Sequence, residues 1–246
     1  MASWLNPTLD RAAAAATFKA NRQVRVSNLL AEDKAASVLQ GLSQIGEWSM
    51  VCASSSGVAI IPAAELSTMA PEKQATLQAS LAESARQGLG FAFLSYRMDD
   101  RWKGGAPDTA LGAFYSALMS DEIRSLVSDI TGASDLNGVA AQVTRFGPSH
   151  YLTRHKDEHT PAKRQVAFIW GFTPQWHPDW GGLLQFFTDA GTPTIAYAPG
   201  FNTLDLIAVD QVRSTTFVTP FAGAVRQAIN GWYVADPAAL DAPAQT

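Results

Sequence analysis

The length, composition and charge of the chain describe an ordinary globular protein. Its 246 residues are 47% hydrophobic and 16% charged, which excludes a disordered chain and a fibre. The formal net charge is −4 and no run is rich in Lys or Arg, so the basic surface of a general nucleic-acid binder is missing. We therefore expect one domain over residues 1–246, with a small molecule or a peptide segment as its partner.

The N-terminus and the single cysteine indicate a cytoplasmic protein. The apolar stretch Ala12–Ala16 follows Asp10 and Arg11 and is too short for a signal peptide, and no apolar run approaches a membrane span. Cys52 cannot form an internal disulfide, and its apolar neighbours favour a buried structural thiol over a reactive one. We expect a reducing compartment and no membrane partner.

Residues 1–134 alternate between helical and strand patterns. Apolar residues recur at helical spacing in several segments, and Ser120 and Gly132 have the chemistry to begin and end a helix. The predicted helices cover 28–46, 71–87, 109–118 and 121–131. Short β-rich segments at 48–53, 57–61 and 90–97 are expected to add strands to a sheet. This part of the chain is predicted to brace a barrel from outside.

From Val139 onward the pattern changes to short strands separated by Gly, Pro, Asn and Asp. The predicted strands cover 139–146, 151–155, 165–173, 182–187, 194–197, 202–209, 215–218 and 225–234. Regular short strands with turn residues between them indicate a barrel or a sandwich. The fold class is therefore α+β, with a barrel core at 135–236 and a tail at 237–246.

A histidine and an aspartate two residues apart carry the first chemical signal. His155 and Asp157 lie at the end of a predicted strand, and residues two apart on an extended chain point to the same side. Such a pair supplies two of the three facial ligands of a non-haem iron centre, with a distant histidine as the third. Alone, the tripeptide is more often a polar surface turn.

The residues around this pair resemble the prolyl-hydroxylase-like family of 2-oxoglutarate/Fe(II) oxygenases. In that family an aromatic residue, a Gly or Pro turn and the motif hydrophobic-Leu-x-x-His-x-Asp follow one another, as they do from Phe146 to Asp157 here. The runs at 164–170, 176–187, 199–207 and 218–233 resemble the family's successive strands. The resemblance implies a double-stranded β-helix, a jelly-roll or cupin-like barrel, with Fe(II) bound by His155 and Asp157 and 2-oxoglutarate as co-substrate.

The resemblance also assigns two co-substrate positions. Arg226 falls where the family places the basic residue that holds the distal carboxylate of 2-oxoglutarate, and a guanidinium pairs bidentately with a carboxylate. The alternative is a surface arginine on the last strand. Phe146 stands where the family often has a tyrosine whose hydroxyl helps to hold the oxoacid, so one hydrogen bond to the co-substrate is expected to be lost.

The third iron ligand is where this sequence departs from the family. Alignment on the run Val-Thr-Pro-Phe-Ala-Gly puts Arg213 at the position of the distal histidine. Arginine has no free lone pair and is not an ordinary metal ligand, so Arg213 becomes the candidate catalytic position whose role is open. Of the other histidines, His159 alone is near enough to turn toward the metal, whereas His150 should face away and His177 should lie at the barrel rim.

Three hypotheses remain open at this point. In the first, a working oxygenase holds iron with His155 and Asp157, and Arg213 is displaced or water fills the vacant position. In the second, Arg213 forms an ion pair with Asp157 and closes the metal site, which leaves a non-catalytic binding protein. In the third, an enzyme of another class uses Arg213 and Arg226 to hold a dianionic small molecule.

If the chain is active, the resemblance implies a 2-oxoglutarate- and Fe(II)-dependent dioxygenase. Such an enzyme decarboxylates 2-oxoglutarate to succinate and CO2 while it hydroxylates a prolyl residue, an amino acid or another small substrate. A fold likeness cannot choose among these substrates. The candidate substrate-facing segments are 96–102 and 176–180, where aromatic and charged residues are expected to rim the barrel mouth. Packing of the aromatic side chains is the equal alternative for each segment.

Overall fold

One long antiparallel sheet, curled on itself, organises the chain. The computed structural model describes residues 3–55, 57–102, 105–157 and 162–241. In the first half the elements are α1 (Arg11–Asn21), β1 (Gln23–Ser27), α2 (Glu32–Ser43), β2 (Ser49–Ser54), β3 (Gly57–Pro62), α3 (Ala63–Thr68), α4 (Pro71–Arg86), β4 (Phe91–Arg97), α5 (Met98–Arg101), α6 (Ala110–Ala117) and α7 (Asp121–Thr131).

The second half consists of strands and two short turns of 3₁₀-helix. The strands are β5 (Gly138–Phe146), β6 (Tyr151–His155), β7 (Arg164–Phe172), β8 (Leu184–Phe187), β9 (Pro193–Tyr197), β10 (Phe201–Ala208), β11 (Arg213–Thr215) and β12 (Arg226–Val234). The 3₁₀ turns are Pro178–Trp180 and Pro237–Asp241. No helix in the described part of the chain combines the length and the apolar character needed to cross a lipid bilayer.

The strand order places both halves of the chain in one sheet. The path runs β1-β10-β7-β12-β5-β4-β6-β11-β8-β9, and the hairpin β2–β3 is attached through β4. Strand β4 therefore lies between β5 and β6, and β1 forms an edge beside β10. The N-terminal half supplies strands to the sheet as well as helices around it.

Most predicted elements agree with the structure, and the differences have local causes. Ser120 accepts a hydrogen bond from the Ile123 amide at the start of α7, and Gly132 ends that helix with φ 76°. Helix α1 and strand β1 were not predicted, because the alanine run has little amphipathic character and β1 follows it without a turn signal. The strand expected at 215–218 instead begins at Arg213, where pairing with His155 and Phe186 starts.

Helices α1, α2, α6 and α7 cover the outer face of the sheet. Phe114 of α6 meets the rings of Trp170 and Phe172 edge to face, with centroids 5.3 and 5.9 Å apart. The buried hydroxyl of Tyr233 in β12 donates to the Leu118 carbonyl at 2.8 Å. Because side chains alternate along a strand, the residues between these outward positions face the inside of the curled sheet.

Helix α4 covers a separate part of the sheet near the hairpin β2–β3. The hydroxyl of Tyr151 in β6 donates to the Leu81 carbonyl of α4 at 2.9 Å. Cys52 is buried beside this contact, and burial raises the pKa of its thiol. The cysteine is therefore part of the packing, as the sequence suggested.

Gly231 allows the central strands β12 and β5 to approach closely. A Cβ atom at Gly231 would lie 1.8 Å from the carbonyl oxygen of Ala140. We expect Gly231→Ala to lower the free energy of unfolding by roughly 1–3 kcal/mol, since overpacking of a filled site costs about that much. Gly46→Ala is the matched control, because a Cβ there meets no atom within 4 Å. Urea denaturation measures both changes, and equal effects would contradict the close approach.

Candidate functional site

A cavity of about 690 Å³ lies inside the curled sheet, and its walls come from both halves of the chain. Strand alternation turns Arg226, Asn230 and Trp232 of β12 toward it, and Phe146 of β5 lies beside Arg226 in register. A larger, mostly apolar cavity of about 960 Å³ lies between α4 and β6, but neither Asp157 nor Arg226 lines it. The chemistry is therefore concentrated in the inner cavity.

His155 and Asp157 meet at one wall of this cavity. The Nδ1 atom of His155 lies 3.0 Å from the Thr153 carbonyl, which favours a proton on Nδ1 and leaves Nε2 as an acceptor 4.0 Å from Oδ1 of Asp157. Burial, followed by the nearby charge of Arg213, lowers the pKa of His155. His155 is therefore neutral at physiological pH and could bind a ligand through Nε2.

Arg213 is bound to the carboxylate of Asp157, the oxygen ligand that a metal at this position would need. It pairs with His155 across strands β11 and β6, and its Nη2 atom contacts Oδ2 of Asp157 directly. The indole Nε1–H of Trp232 donates to the same Oδ2 at 2.8 Å. Arg164 lies flat on the Trp232 ring, 3.7 Å from its centroid, with Nη1 3.7 Å from Oδ1 of Asp157. Both carboxylate oxygens thus face cationic groups.

The charge state of Asp157 follows from these neighbours. Burial alone raises the pKa of its carboxyl group, but the charge and hydrogen bond of Arg213 and the hydrogen bond of Trp232 outweigh it and hold the pKa below its ordinary value. Asp157 is therefore ionised, and its charge is already balanced by an arginine.

The residues present do not fit a divalent iron. No group of three His, Cys, Asp or Glu side chains that could hold a metal exists among residues 3–55, 57–102, 105–157 and 162–241. Five arginines and one acidic residue, Asp157, are found among the described residues that line the cavity; the arginines are Arg97, Arg101, Arg164, Arg213 and Arg226. Arg97 and Arg101 are paired with Asp99 and Glu47, but among the described lining residues Arg164, Arg213 and Arg226 together face only Asp157. This excess of positive charge opposes a cation and favours an anion. His159, the possible substitute ligand, lies outside the described residues.

Arg226 is a buried cation without a carboxylate partner among the described residues. It is 6% exposed, its guanidinium lies 5.0 Å from the centroid of the Phe146 ring, and Nη1 donates to the Thr215 hydroxyl at 2.8 Å. Burial lowers its pKa to about 10, so it remains charged at neutral pH. No carboxylate of the described residues pairs with it, and nearby Asp205 is held by Arg25 through two bonds of 2.6 and 2.7 Å.

Other residues singled out in the sequence lie away from the cavity. Trp102 and Tyr96 pack edge to face at 6.2 Å, so of the segment at 96–102 only Arg97 and Arg101 line the cavity. In the second segment Trp176 and Trp180 pack on one another with centroids 5.4 Å apart. The aromatic side chains of both segments therefore pack on other rings, which favours the packing alternative for them, and their contact with a substrate stays a prediction.

His150 and His177 each accept a hydrogen bond from a backbone amide close in sequence. His150 accepts a hydrogen bond from the Gly147 amide at 3.0 Å, and burial lowers its pKa. His177 lies at an exposed 3₁₀ turn, where its ring accepts from the Asp179 amide at 3.3 Å. Both agree with the expectation that they do not contact the metal position.

Sequence reasoning missed two members of the site, Arg164 and Trp232. Trp232 is six positions from Arg226 on the same strand, and an even separation puts both on one face. That signal was available in the sequence. Arg164 begins β7 and reaches Asp157 only through its stacking on Trp232, so no spacing rule identifies it.

We expect Asp157→Asn to lower the free energy of unfolding by roughly 3–5 kcal/mol at neutral pH, because it leaves the buried Arg213 charge unpaired. Since the pKa of Asp157 is lowered in the folded state, its contribution is present above about pH 4 and is lost as the pH falls through the folded pKa. The difference in free energy of unfolding between the wild type and Asp157→Asn should therefore be constant from about pH 5 to 8 and should decrease below about pH 4.

The matched control for this prediction is Asp121→Asn, which removes an exposed ion pair with Arg124 on α7. Its effect should stay within about 1 kcal/mol, as is usual for surface pairs. Denaturant titrations across the pH range measure both variants. If the loss of unfolding free energy in Asp157→Asn stays the same below about pH 4, the ionised carboxylate is not the cause of that loss.

Comparison with known proteins gives a consistent result. Residues 141–234 match the model of the 2OG-Fe(II) oxygenase superfamily. No curated protein matches the chain. Among solved structures, the chain resembles a prolyl-4-hydroxylase of Pseudomonas putida at 15% identity and TM-score 0.59, covering 92% of this chain and 98% of that one.

Two further structures extend this likeness. An oxidoreductase of the 2OG-Fe(II) oxygenase family from Burkholderia pseudomallei is 11% identical with TM-score 0.64, covering 95% of this chain and 96% of that one. A Trichoplax adhaerens prolyl hydroxylase, solved in complex with a hypoxia inducible factor peptide fragment, is 18% identical with TM-score 0.59, covering 91% and 88%. These likenesses confirm the predicted barrel, and the family match confirms the predicted resemblance.

Proposed function

We propose that this chain is a member of the 2OG-Fe(II) oxygenase superfamily, whose model matches residues 141–234 and whose enzymes use Fe(II) and 2-oxoglutarate, and that its cavity binds 2-oxoglutarate or a similar dicarboxylate through Arg226. We propose further that the iron position is closed by Arg213. The contact between Arg213 and Asp157 is the observation that carries this proposal.

The environment of Arg226 supports the proposal that the cavity binds a dicarboxylate. A buried cation with a hydroxyl group as its hydrogen-bond partner retains several unused donors, and an uncompensated buried charge is costly. A carboxylate that enters the cavity would accept from the guanidinium fork and restore the balance. Phe146 has no hydroxyl group to bind the anion, and its ring instead packs against the guanidinium of Arg226. Arg226 and Thr215 are then the groups that bind the anion.

The closed iron position follows from the electrostatics of Asp157. A divalent ion would have to displace Arg213 from the carboxylate and would then face both Arg213 and Arg164 without bulk water between them. His155 would be its only uncommitted protein donor among the described side chains around Asp157. This arrangement favours the hypothesis of a non-catalytic binding protein built on an oxygenase fold.

A second candidate function is the oxygenase reaction itself, and the family match favours it. In this candidate Arg213 leaves Asp157, and dioxygen supplies one oxygen atom to convert 2-oxoglutarate to succinate and CO2 and the other to hydroxylate a prolyl residue, an amino acid or another small substrate. The peptide bound to the Trichoplax adhaerens neighbour suggests a peptidyl substrate as one class to test. We further propose a cytoplasmic location with no nucleic-acid partner, which the buried Cys52 and the negative net charge support.

Arg226→Lys tests the binding half. Lysine keeps the charge but loses the fork, and a hydrogen bond to a charged group contributes roughly 1.5–3 kcal/mol, so we expect 2-oxoglutarate to bind about 10- to 100-fold more weakly. Isothermal titration with 2-oxoglutarate measures the change. Arg145→Lys is the matched control, because Arg145 lies on the neighbouring strand β5 and bonds Gln227 instead of lining the cavity. Equal losses in both variants would remove Arg226 from the ligand site.

Arg213→His tests the closed iron position. The substitution removes the cation beside Asp157 and restores a nitrogen lone pair, so we expect Fe(II) affinity to rise at least about 100-fold, as expected for a restored ligand. Anaerobic titration with Fe(II) and 2-oxoglutarate, followed by visible absorption of the chelated oxoacid, measures this. Wild-type protein should show no band at millimolar concentrations. A band in wild type, together with succinate release, would favour the second candidate function.

A further inference from the structure

Arg213 has a second nitrogen that no group in the described structure uses. Its Nη2 atom binds Asp157, but Nη1 is buried and has no hydrogen-bond partner. The side chain is 7% exposed and lines the same cavity as Arg226. A buried guanidinium nitrogen without an acceptor is unfavourable, which points to a ligand that supplies one.

Arg213 on β11 and Arg226 on β12 lie on strands that do not pair with each other, and Thr215 lies beside both. Thr215, which accepts the hydrogen bond of Arg226, is two residues from Arg213 on β11. Two residues along a strand span about 7 Å, and both positions line the cavity. The part of the cavity between Arg213 and Arg226, called the gap below, therefore has an arginine at each end, as a small molecule with two acid groups requires.

The surrounding charges do not compete for these donors. Asp157 is the one acidic residue among the described residues that line the cavity, and it is already bound by Nη2 of Arg213 and by Trp232. Arg164 adds positive charge on the same side. An entering dianion thus meets an attractive potential at both ends of the gap.

We propose that Arg226 and Arg213 hold the two carboxylates of one short linear dicarboxylate, without a metal and without a requirement for a 2-oxo group. The inference rests on the proposed function, since Arg226 is one of the two anchors. It goes further because it gives the second carboxylate a protein partner. An iron centre binds the oxoacid end by chelation and needs the 2-oxo oxygen, whereas an arginine needs only the carboxylate.

The ligand series that separates these cases is 2-oxoglutarate, glutarate, succinate and butanoate. Ligand-observed NMR titration of the full chain in EDTA measures their affinities. We expect the three dicarboxylates to bind within about threefold of one another, and butanoate, which can use only one anchor, to bind at least about tenfold more weakly. Addition of Mn²⁺ in place of EDTA should leave the four affinities unchanged.

Arg213→Lys tests the second anchor while keeping the ion pair with Asp157. A lysine has one terminal nitrogen, which stays with Asp157 and leaves no second donor for a ligand, so dicarboxylate affinity should fall about tenfold while butanoate affinity stays the same. An unchanged butanoate affinity also shows that the variant is folded and that Arg226 is undisturbed. Arg11→Lys is the matched control, because Arg11 also pairs with an aspartate, Asp129, but on helices α1 and α7 outside the cavity, and it should leave both affinities unchanged.

The outcomes separate this inference from the proposed function. If 2-oxoglutarate binds through Arg226 but requires metal or the 2-oxo group, or if Arg213→Lys leaves dicarboxylate affinity unchanged, the second anchor is overturned and the binding role of Arg226 stands. If Arg213→Lys weakens butanoate as much as the dicarboxylates, Arg213 acts on the structure of the cavity and the inference also fails. If none of the dicarboxylates binds in EDTA or with metal, the proposed function and the inference both fall.

Discussion

The ion pair between Arg213 and Asp157 determines the state of the whole site. Burying two charges is costly unless their remaining donors and acceptors are also satisfied, and here Trp232 and Arg164 supply that support to the carboxylate. The arginine side is satisfied only in part, since Nη1 has no partner in the described structure. In the proposed function, the same pair closes the cation position and leaves Nη1 of Arg213 for an anion.

The fold makes this arrangement possible by giving the curled sheet two different faces. On the outer face, Trp170, Tyr233 and their neighbours pack against helices, so the strands are held in fixed register. On the inner face, the alternate positions carry charged and polar side chains, and these line the cavity. Insertion of β4 between β5 and β6 brings Arg97 to the same cavity, so the N-terminal half takes part in the site.

Much of this could be predicted from the sequence, because the strands follow period-two alternation and the helix ends carry ordinary capping residues. The alignment of the runs around His155 and Arg226 gave the barrel, and the missing histidine identified Arg213 as the unusual position. Three features could not be predicted because they depend on tertiary contacts. They are the stacking of Arg164 on Trp232, the unpaired Nη1 of Arg213, and the first residue of β11, which is set by pairing with two distant strands. For the aromatic segments at 96–102 and 176–180 the sequence left substrate contact and packing open, and the ring contacts in the structure favour packing.

The position of β12 has a consequence for the order in which the protein can form. This strand follows every other described strand in sequence, yet it lies between β5 and β7 near the middle of the sheet. Until it is added, β5 and β7 each present an open edge, and such edges are prone to pair with other chains. A growing polypeptide therefore has to keep these edges apart from neighbours until residues 226–234 leave the ribosome, and folding that depends on such distant pairing is slow.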